Sequence, residues 1–545
     1  MLAIGAILLI IAVSCGFVSV SVFLRDPVYY YGYREGPANR AAMISGAVGF
    51  LCFLLSAWIL LPWFHPLFFG LFFNNLGFWI VCGVILVAAI LAGLLSNSLG
   101  SGRDVAVGVC FVLFVIGVIA WLSVYGFMGG RWTRNALYGT LQYEELQQLP
   151  DTTSIRYLPM EVARQLAKNA LQGPGITLGE AEPLVREAEV EWIAPRIPNG
   201  LLNSWRKKAD GFAIIGSDGK TTMVRQAMQV GEGMLGSDSI SWKIRKQRYF
   251  STIAEVFYIE NPAGEVVAVV PYLDHPFRFP VRVPEWGGVF LVFSNGNIQN
   301  LTPHEALKHP LLQGVRIFPE GLAKLQVEAF AYKYGIRNAI FTHRDQIRIP
   351  AVSETLFGNE MPFLLPTALG QKWFIATTPW GADGIFRIFL IDAMTGQIQV
   401  YTAPQDSSLV GPLKARTFMP TGFSTYDWSK FAVLEPRPII RDGILYWMFT
   451  ITTNEYAGVK NTVLVNSHTS EVLDFGSSRS DLLKFLAGGV AGRVAFSPNQ
   501  QDAEVSEAMN IVPKAQLSAE ELADLILQLE ELVESLRRLQ QTLPK

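Results

Sequence analysis

The chain has 545 residues, half of them hydrophobic, with 44 Lys and Arg against 46 Asp and Glu and a formal net charge of −2. That length exceeds one ordinary domain, and the near-neutral balance excludes a dedicated nucleic-acid binder, which carries a basic footprint. All four cysteines (Cys15, Cys52, Cys82 and Cys110) lie in apolar stretches near the N-terminus, so the remainder has neither a disulfide framework nor a thiolate metal site.

Through residue 128 the charged side chains are Arg25, Asp26, Arg34, Glu35, Arg40, Arg103 and Asp104, and no lysine precedes Lys168. Four runs, 2–24, 41–64, 76–96 and 105–128, contain no Asp, Glu, Lys or Arg. A hydrocarbon core of about 30 Å takes about 20 apolar residues, so the expected fold class opens with a polytopic α-helical membrane anchor of four transmembrane helices over 1–128. The first run lacks a positively charged leader and is too long for a signal peptide, which makes it a retained helix. Between the second and third runs, Pro62-Trp63-Phe64-His65-Pro66 and then Phe68, Phe69, Phe72, Phe73, Asn74 and Asn75 read as a short interfacial turn, because amphipathic rings favour the headgroup level. Ala89 and Gly93 form a small-xxx-small step suited to close helix approach. The lack of ionisable groups inside the runs argues against a transport pathway. Arg25, Arg34, Arg40 and Arg103 put the first and third loops in the cytoplasm and both termini outside, with Arg131 and Arg134 counting the other way.

Residues 129–158 read as a connector with a short helix at 143–149. A helix follows at 160–171, opened by Pro159, with Val162, Leu166 and Ala170 on one face, and closed by Gly173-Pro174-Gly175. From Leu184 onward the pattern becomes short strands broken by Gly, Pro, Asn and Asp. A strand–turn–strand pattern recurs at 256–269, 389–401 and 463–475. Glu260-Asn261, Asp392 or Asn466 opens the turn and Gly264, Gly396 or Ser470 closes it, since Asp and Asn bond their own backbone two residues on and Gly accepts positive φ. A simpler hairpin spans 212–224 with Ser217-Asp218-Gly219 at its tip, and helices fall at 319–334 and 480–486. Strands mixed with a few helices point to a large α+β water-exposed domain over 159–497 with antiparallel sheets.

The segments Leu390-Ile-Asp-Ala-Met-Thr-Gly-Gln-Ile-Gln-Val and Leu464 to Phe475 each resemble the last hairpin of PepSY-type modules, over about a dozen residues per copy. Such modules are small extracytoplasmic α+β units, often attached to membrane helices and linked in some families to peptidase regulation. The resemblance implies an extracytoplasmic, non-catalytic domain and carries over no functional residue.

Sequences that echo catalytic motifs fail on spacing. Gly216-Ser-Asp-Gly219-Lys220-Thr221 lacks the glycine a phosphate loop needs five residues before Gly219, where Ile214 stands; a hairpin turn explains it. Ser204-Trp-Arg-Lys207 matches Ser-x-x-Lys, but the accompanying motifs are out of order. His304 and His309 are five residues apart, on different helix faces, and do not share a zinc ion. Thr302-Pro303 ahead of them reads as an N-cap and first turn. No catalytic residue, metal ligand or cofactor emerges. Trp242-Lys243-Ile-Arg245-Lys246-Gln-Arg248-Tyr-Phe250 combines four cations and three aromatics in nine residues. As a surface contact, Trp242, Lys243, Arg245, Lys246 and Arg248 would meet anionic headgroups or an acidic polymer; the plainer reading is an exposed amphipathic strand.

After a flexible tether at 498–517, residues 518–545 form an amphipathic, coiled-coil-like helix. Ser518-Ala-Glu-Glu521 is a capping box, and Leu522, Leu525, Leu529, Leu532, Leu536 and Leu539 alternate at three and four residues, the seam of a coiled coil. The expected function is a non-catalytic, oligomeric binding or scaffold protein of the envelope, multi-pass in the cell membrane. Its partners are the lipid bilayer, a further copy or helical partner through the C-terminal helix, and an envelope protein or polymer; nucleic acid is not among them. The alternatives are a membrane-bound hydrolase or transferase with a dispersed active site, and an accessory or sensor subunit of a transport complex.

Overall fold

The computed structural model describes residues 10–15, 37–96, 103–171, 173–186, 189–352, 360–404, 408–456, 458–489 and 492–497. Most of the first apolar run, the tether at 498–517 and the leucine-seamed helix at 518–545 lie outside the described residues.

The anchor of four transmembrane helices is not what forms. The helices here are α1 (Pro37–Phe68), α2 (Leu76–Ser96) and α3 (Arg103–Tyr138). Among the described residues only Phe111–Tyr138 is long and apolar enough to cross a membrane. A second span arises only if Ile44–Ser56 and Leu60–Phe73, which meet at 74°, are counted as one; Leu76–Ala88 is a shorter apolar helix. The reason is that apolar composition reports neither straightness nor what covers a helix. The second arm of α1 contains Pro62 and Pro66, and Pro66 has no N–H to offer the carbonyl four residues back. That carbonyl, of Pro62, accepts from Arg245 at 3.1 Å instead, and the Leu61 carbonyl accepts from the Tyr249 hydroxyl at 3.3 Å. The arm is therefore fastened to the β-rich body, with His65 buried at 4% exposure, and it runs on into a π-turn at Phe69–Phe73. Helices α2 and α3 touch in opposite chain order, Phe78 against Tyr125 and Ile85 against Gly117, which makes them an antiparallel hairpin.

The connector also differs from expectation. Where a short helix was expected at 143–149, Tyr143–Leu146 is a strand, β1, paired in parallel with Ile398–Thr402. A free sheet edge completed by a passing segment outweighs the weak local helix preference of four residues.

Four antiparallel four-strand meanders follow. The first is β3 (Glu182–Arg186), β4 (Glu189–Pro198), β5 (Asp210–Ile215) and β6 (Thr221–Ala227), with β2 (Ile176–Leu178) added beside β4. The second is β8 (Phe257–Glu260), β9 (Val266–Asp274), β12 (Glu285–Phe293) and β13 (Ile298–Leu301), with β7 (Thr252–Ile253) beside β9. A small hairpin, β10 (Phe277–Arg278) and β11 (Val281–Arg282), interrupts it. The third is β15 (Phe363–Thr367), β16 (Gly370–Pro379), β17 (Arg387–Asp392) and β18 (Ile398–Thr402), with β14 (Ile347–Arg348) beside β16. The fourth is β19 (Phe431–Arg441), β20 (Ile444–Thr453), β21 (Asn461–Asn466) and β22 (Val472–Asp474), with β23 (Arg493–Phe496) at its end. A helix precedes each meander: α4 (Met160–Ala170), α5 (Ile240–Gln247), α6 (Glu320–Ala329) and α7 (Pro412–Thr417).

Register shows that these are copies of one unit. Trp192 stands opposite Pro183 and Ile215, Trp373 opposite Leu364 and Ile391, and Trp447 opposite Pro438 and Val465. Ile215, Ile391 and Val465 in turn face the first paired residues of the fourth strands, Thr221, Ile398 and Val472. Each indole N–H donates at 2.9 Å to a carbonyl, those of Leu158, Phe318 and Val410. Each of these carbonyls lies two residues ahead of α4, α6 or α7. In the second meander the same position is Ala268, opposite Tyr258 and Val292. The sequence pattern had equated 256–269 with 389–401 and 463–475. The structure makes 256–269 the first hairpin of its meander and the other two the third hairpins; the true counterpart is β12–β13, turning at Asn295-Gly296. Gly219, Gly296, Gly396 and Ser470 hold the equivalent turn position, with φ of 82°, 83°, 78° and 62°.

Candidate functional site

The unit's symmetry concentrates charge at one place. Arg156 and Arg316 occupy equivalent positions, two residues ahead of the carbonyls that Trp192 and Trp373 bond. Arg316 is fully buried; Nη2 reaches Glu182 at 2.6 Å, Nη1 reaches Glu255 at 2.9 Å and Nε donates to the Pro183 carbonyl at 2.9 Å. Its guanidinium lies 4.7 Å from the Phe257 ring and 5.4 Å from that of Trp373. Arg156, also buried, pairs with Glu435 at 3.3 Å and lies 5.1 Å from the Trp192 ring and 5.4 Å from that of Phe363. Phe257 and Phe363 are themselves counterparts, one residue before the partner of the Trp position on the first strand of a meander. Glu182 and Arg437 hold that position in the other two meanders. Arg437 donates to the carbonyls of Arg156 and Tyr157 at 2.6 and 2.5 Å and to the Thr450 hydroxyl. The first strands of all four meanders thus converge on two arginines.

Five glutamates (Glu161, Glu182, Glu255, Glu320 and Glu435) and three arginines make up this hub. Loss of water disfavours the charged form of a carboxylate and opposes the pull of a neighbouring cation. Burial, with Glu255 and Glu182 nearby, raises Glu320 to about 8. Burial likewise pushes Glu182 up against the pull of Arg316, and burial with the neighbouring Glu435 pushes Glu161 up. Glu320 is therefore held toward its protonated form at neutral pH. Glu182, Glu255 and Glu320 each place one oxygen within 4.8 Å of the others, a spacing a metal ion accepts. The Arg316 guanidinium already bonds two of the three and supplies the counter-charge, so the set is an ion-paired joint. Two cavities of 460 and 560 Å³, one lined by Arg134, Glu328 and Arg348 and the other by Arg186, Glu191 and Glu260, hold none of the hub residues.

The aromatic–cationic segment singled out in the sequence is not a strand. It is helix α5, and Trp242 (7% exposed) and Ile244 (1%) turn into the core. Arg245 holds the α1 arm. Arg248 pairs with Asp274 through two bonds of 3.1 and 2.5 Å and lies 4.9 Å from the Tyr272 ring. Lys243 is partly exposed; Lys246 is exposed and lies 5.9 Å from the Trp242 ring. Beyond the helix, Tyr249 and Phe250 pack on Phe68, and Phe250 lies 4.9 Å from Phe73. From the other side Arg282 donates to the Phe73 carbonyl at 2.8 Å and sits 3.7 Å over its ring. The residues named for oligomerisation (Leu522, Leu525, Leu529, Leu532, Leu536 and Leu539) lie outside the described residues.

The histidines are scattered. Thr302 caps Pro303–Lys308 in a full capping box, with His304 at the helix start and His309 just past its end. His343 stacks on Trp380 at 4.4 Å. His275 accepts or donates to the Thr252 hydroxyl at 2.8 Å, and burial lowers it to about 4. The sequence reading missed the hub altogether, although a signal for it exists: Arg156-Tyr157-Leu158-Pro159 and Arg316-Ile317-Phe318-Pro319 are one pattern, each just ahead of a helix.

Known protein families, curated proteins and solved structures were compared with this chain. None matches. The reading of its role therefore rests on the residues and the geometry above.

Proposed function

We propose that this protein is a membrane-attached binding or scaffold protein of the cell envelope, with a body of four repeated α+β units held at the bilayer and its outer faces presented to a protein or polymer. The observation that carries the reading is the uncovered apolar surface of Phe111–Tyr138, where Phe111, Ile116, Ile119, Leu122 and Phe127 are each more than half exposed. Apolar surface left in water forgoes about 25 cal/mol per Å², and patches of this kind mark contact with lipid or protein. The union with the body is direct: Arg134 near the end of α3 pairs with Glu328 of α6 at 2.7 Å. Binding is favoured over hydrolysis or transfer because the buried charges of the hub face one another. The PepSY-like hairpins suggest that the body lies outside the cytoplasm.

The test is membrane extraction. The full chain should stay with membranes through an alkaline carbonate wash, and Ile116→Arg with Ile119→Arg should release a large fraction, each arginine at a span centre costing about 2.5–3.5 kcal/mol. Recovery of the unaltered chain in the soluble fraction would sink the proposal. Protease added to intact cells checks the side, since cleavage of the body only after lysis places it inside. The oligomeric part is read separately: removing 518–545 should lower the mass of the detergent-solubilised particle, and an unchanged mass removes the leucine seam as the contact.

A further inference from the structure

We infer that the segment from Tyr334 to Arg344, at the body end of α3, is a docking surface for the anionic headgroup layer of the bilayer around that helix, an inference that rests on the membrane-attached reading above. Along one side of α3 the side chains change from apolar to charged to polar. Phe127, 63% exposed, stands near the end of the uncharged run 105–128. About one turn on, Arg131 donates to the Phe127 carbonyl at 2.6 Å, and its guanidinium lies 4.3 Å from the Phe127 ring. An arginine stem laid on a ring at the end of an apolar run keeps its charge in the wet layer. About one turn further, Asn135 meets the segment: a Cβ added to Gly335 would lie 4.0 Å from the Asn135 Oδ1. Four residues of helix rise about 6 Å, so Gly335 stands beyond Arg131 at the level of the headgroups and not of the acyl chains.

The segment holds its outer side chains in place. Gly335, with φ of 80°, turns the chain into a short helix, Gly335–Arg337, continued by a π-turn, Asn338–Thr342. Asn338, which is buried, closes the loop. Its Oδ1 accepts from the Thr342 hydroxyl at 2.6 Å and from the Arg344 N–H at 2.9 Å, and its Nδ2 donates to the Arg344 carbonyl at 2.9 Å. Tyr334, Arg337 and Phe341 follow at steps of three and four, the spacing of neighbours on a helix. Arg344 folds back so that its guanidinium lies 5.4 Å from the Tyr334 ring. Phe341 is 74% exposed, more than any other large apolar side chain among the described residues, and Tyr334 is 48% exposed. The charge names the partner. Residues 131–138 and 333–345 carry Arg131, Arg134, Lys333, Arg337 and Arg344 against a single acid, Asp345. Arg134 pairs with Glu328, and Asp345 pairs with Lys333 and Arg387. Arg131, Arg337 and Arg344 have no ion pair among the described residues. On a chain of net charge −2, unneutralised arginines beside exposed rings at this height fit phosphate-bearing anionic lipid.

The experiment places a fluorescent amino acid at position 341 of the full chain. The protein is reconstituted into vesicles of zwitterionic lipid alone or with about a third of anionic lipid, in both cases with a small share of lipid bearing a nitroxide on its headgroup. Flotation with the vesicles reports attachment, and quenching by the nitroxide reports contact with the headgroup layer. The expected result is several-fold stronger quenching in anionic than in zwitterionic vesicles. Arg337→Glu with Arg344→Glu should bring it down to the zwitterionic level without loss of flotation, and Arg337→Lys with Arg344→Lys, which keeps the charge, should retain it. No quenching in either vesicle overturns the inference while leaving attachment intact. Equal quenching in the two vesicles, or loss of the difference in the Lys pair as in the Glu pair, overturns the assignment to anionic headgroups. A chain that does not float refutes attachment, and this inference with it.

Discussion

Trp192 and Trp373 are the same residue of two copies of one unit: each is the second-strand residue whose indole N–H bonds, at 2.9 Å, the carbonyl two positions ahead of a helix, and over each lies the arginine two positions before that carbonyl. The hydrogen bond fixes where the helix leaves the sheet, and the ring gives the guanidinium an apolar, electron-rich face to rest on.

Trp373→Phe should therefore do more than shave volume. It removes the indole donor to the Phe318 carbonyl and opens a gap under Arg316 in a fully buried site. A loss of about 2–4 kcal/mol is expected, read by thermal or urea unfolding of the detergent-solubilised chain. Trp192→Phe and Trp447→Phe should cost similar amounts; a loss within 0.5 kcal/mol for all three (about the scatter of a surface change) would refute the shared role.

Arg316→Met leaves the partly buried Glu182 and Glu255 without their cation. Breaking a buried pair from one side costs about 3–5 kcal/mol. Adding Glu182→Gln and Glu255→Gln to the same chain should recover a good part of that, because the repulsion and the desolvated charge go together. If the triple variant is no more stable than Arg316→Met, the carboxylates were not charged partners of Arg316.

The hub also sets a pH dependence. Burial raises Glu320 to about 8, above its unfolded value near 4.5, so the folded chain holds a proton that the unfolded chain has lost. That contribution is complete below the unfolded pKa and disappears as pH rises through the folded one. His275 and His468, lowered by burial, act oppositely, but only below their unfolded value near 6.5. Between pH 7 and 8.5 the midpoint of unfolding should fall, by at most about 1.4 kcal/mol per pH unit for one proton, and Glu320→Gln should flatten the slope. A flat profile in the unaltered protein would contradict the raised value.

The four equivalent turn positions give a paired test. Gly396 has φ of 78°, and a Cβ there would lie 2.2 Å from the Phe318 ring; Ser470 adopts φ of 62° with a side chain already present. Gly396→Ala should destabilise by more than the about 1–2 kcal/mol of a left-handed backbone alone, since it also displaces a buried ring. Ser470→Gly should stabilise by about 0.5–1 kcal/mol. Equal effects of the same sign would show that the two turns are not counterparts.

By itself the sequence determined the pieces whose bonds close within a few residues. Asp392 bonds the N–H groups of Met394 and Thr395, Asn466 those of His468 and Thr469, and Thr302 and Glu305 cap one another; each turn or cap was legible because its donor and acceptor are neighbours in the chain. Only the tertiary structure decided the rest. The run at 41–64 looked like a membrane crossing until Arg245 and Tyr249, nearly two hundred residues away, claimed the carbonyls of Pro62 and Leu61. The hub depends on pairs 134 and 281 residues apart, Arg316 with Glu182 and Arg437 with Arg156. Its charges are tolerable inside the protein only because the strands of four units bring them together and shut out water, a condition that no local pattern of residues expresses.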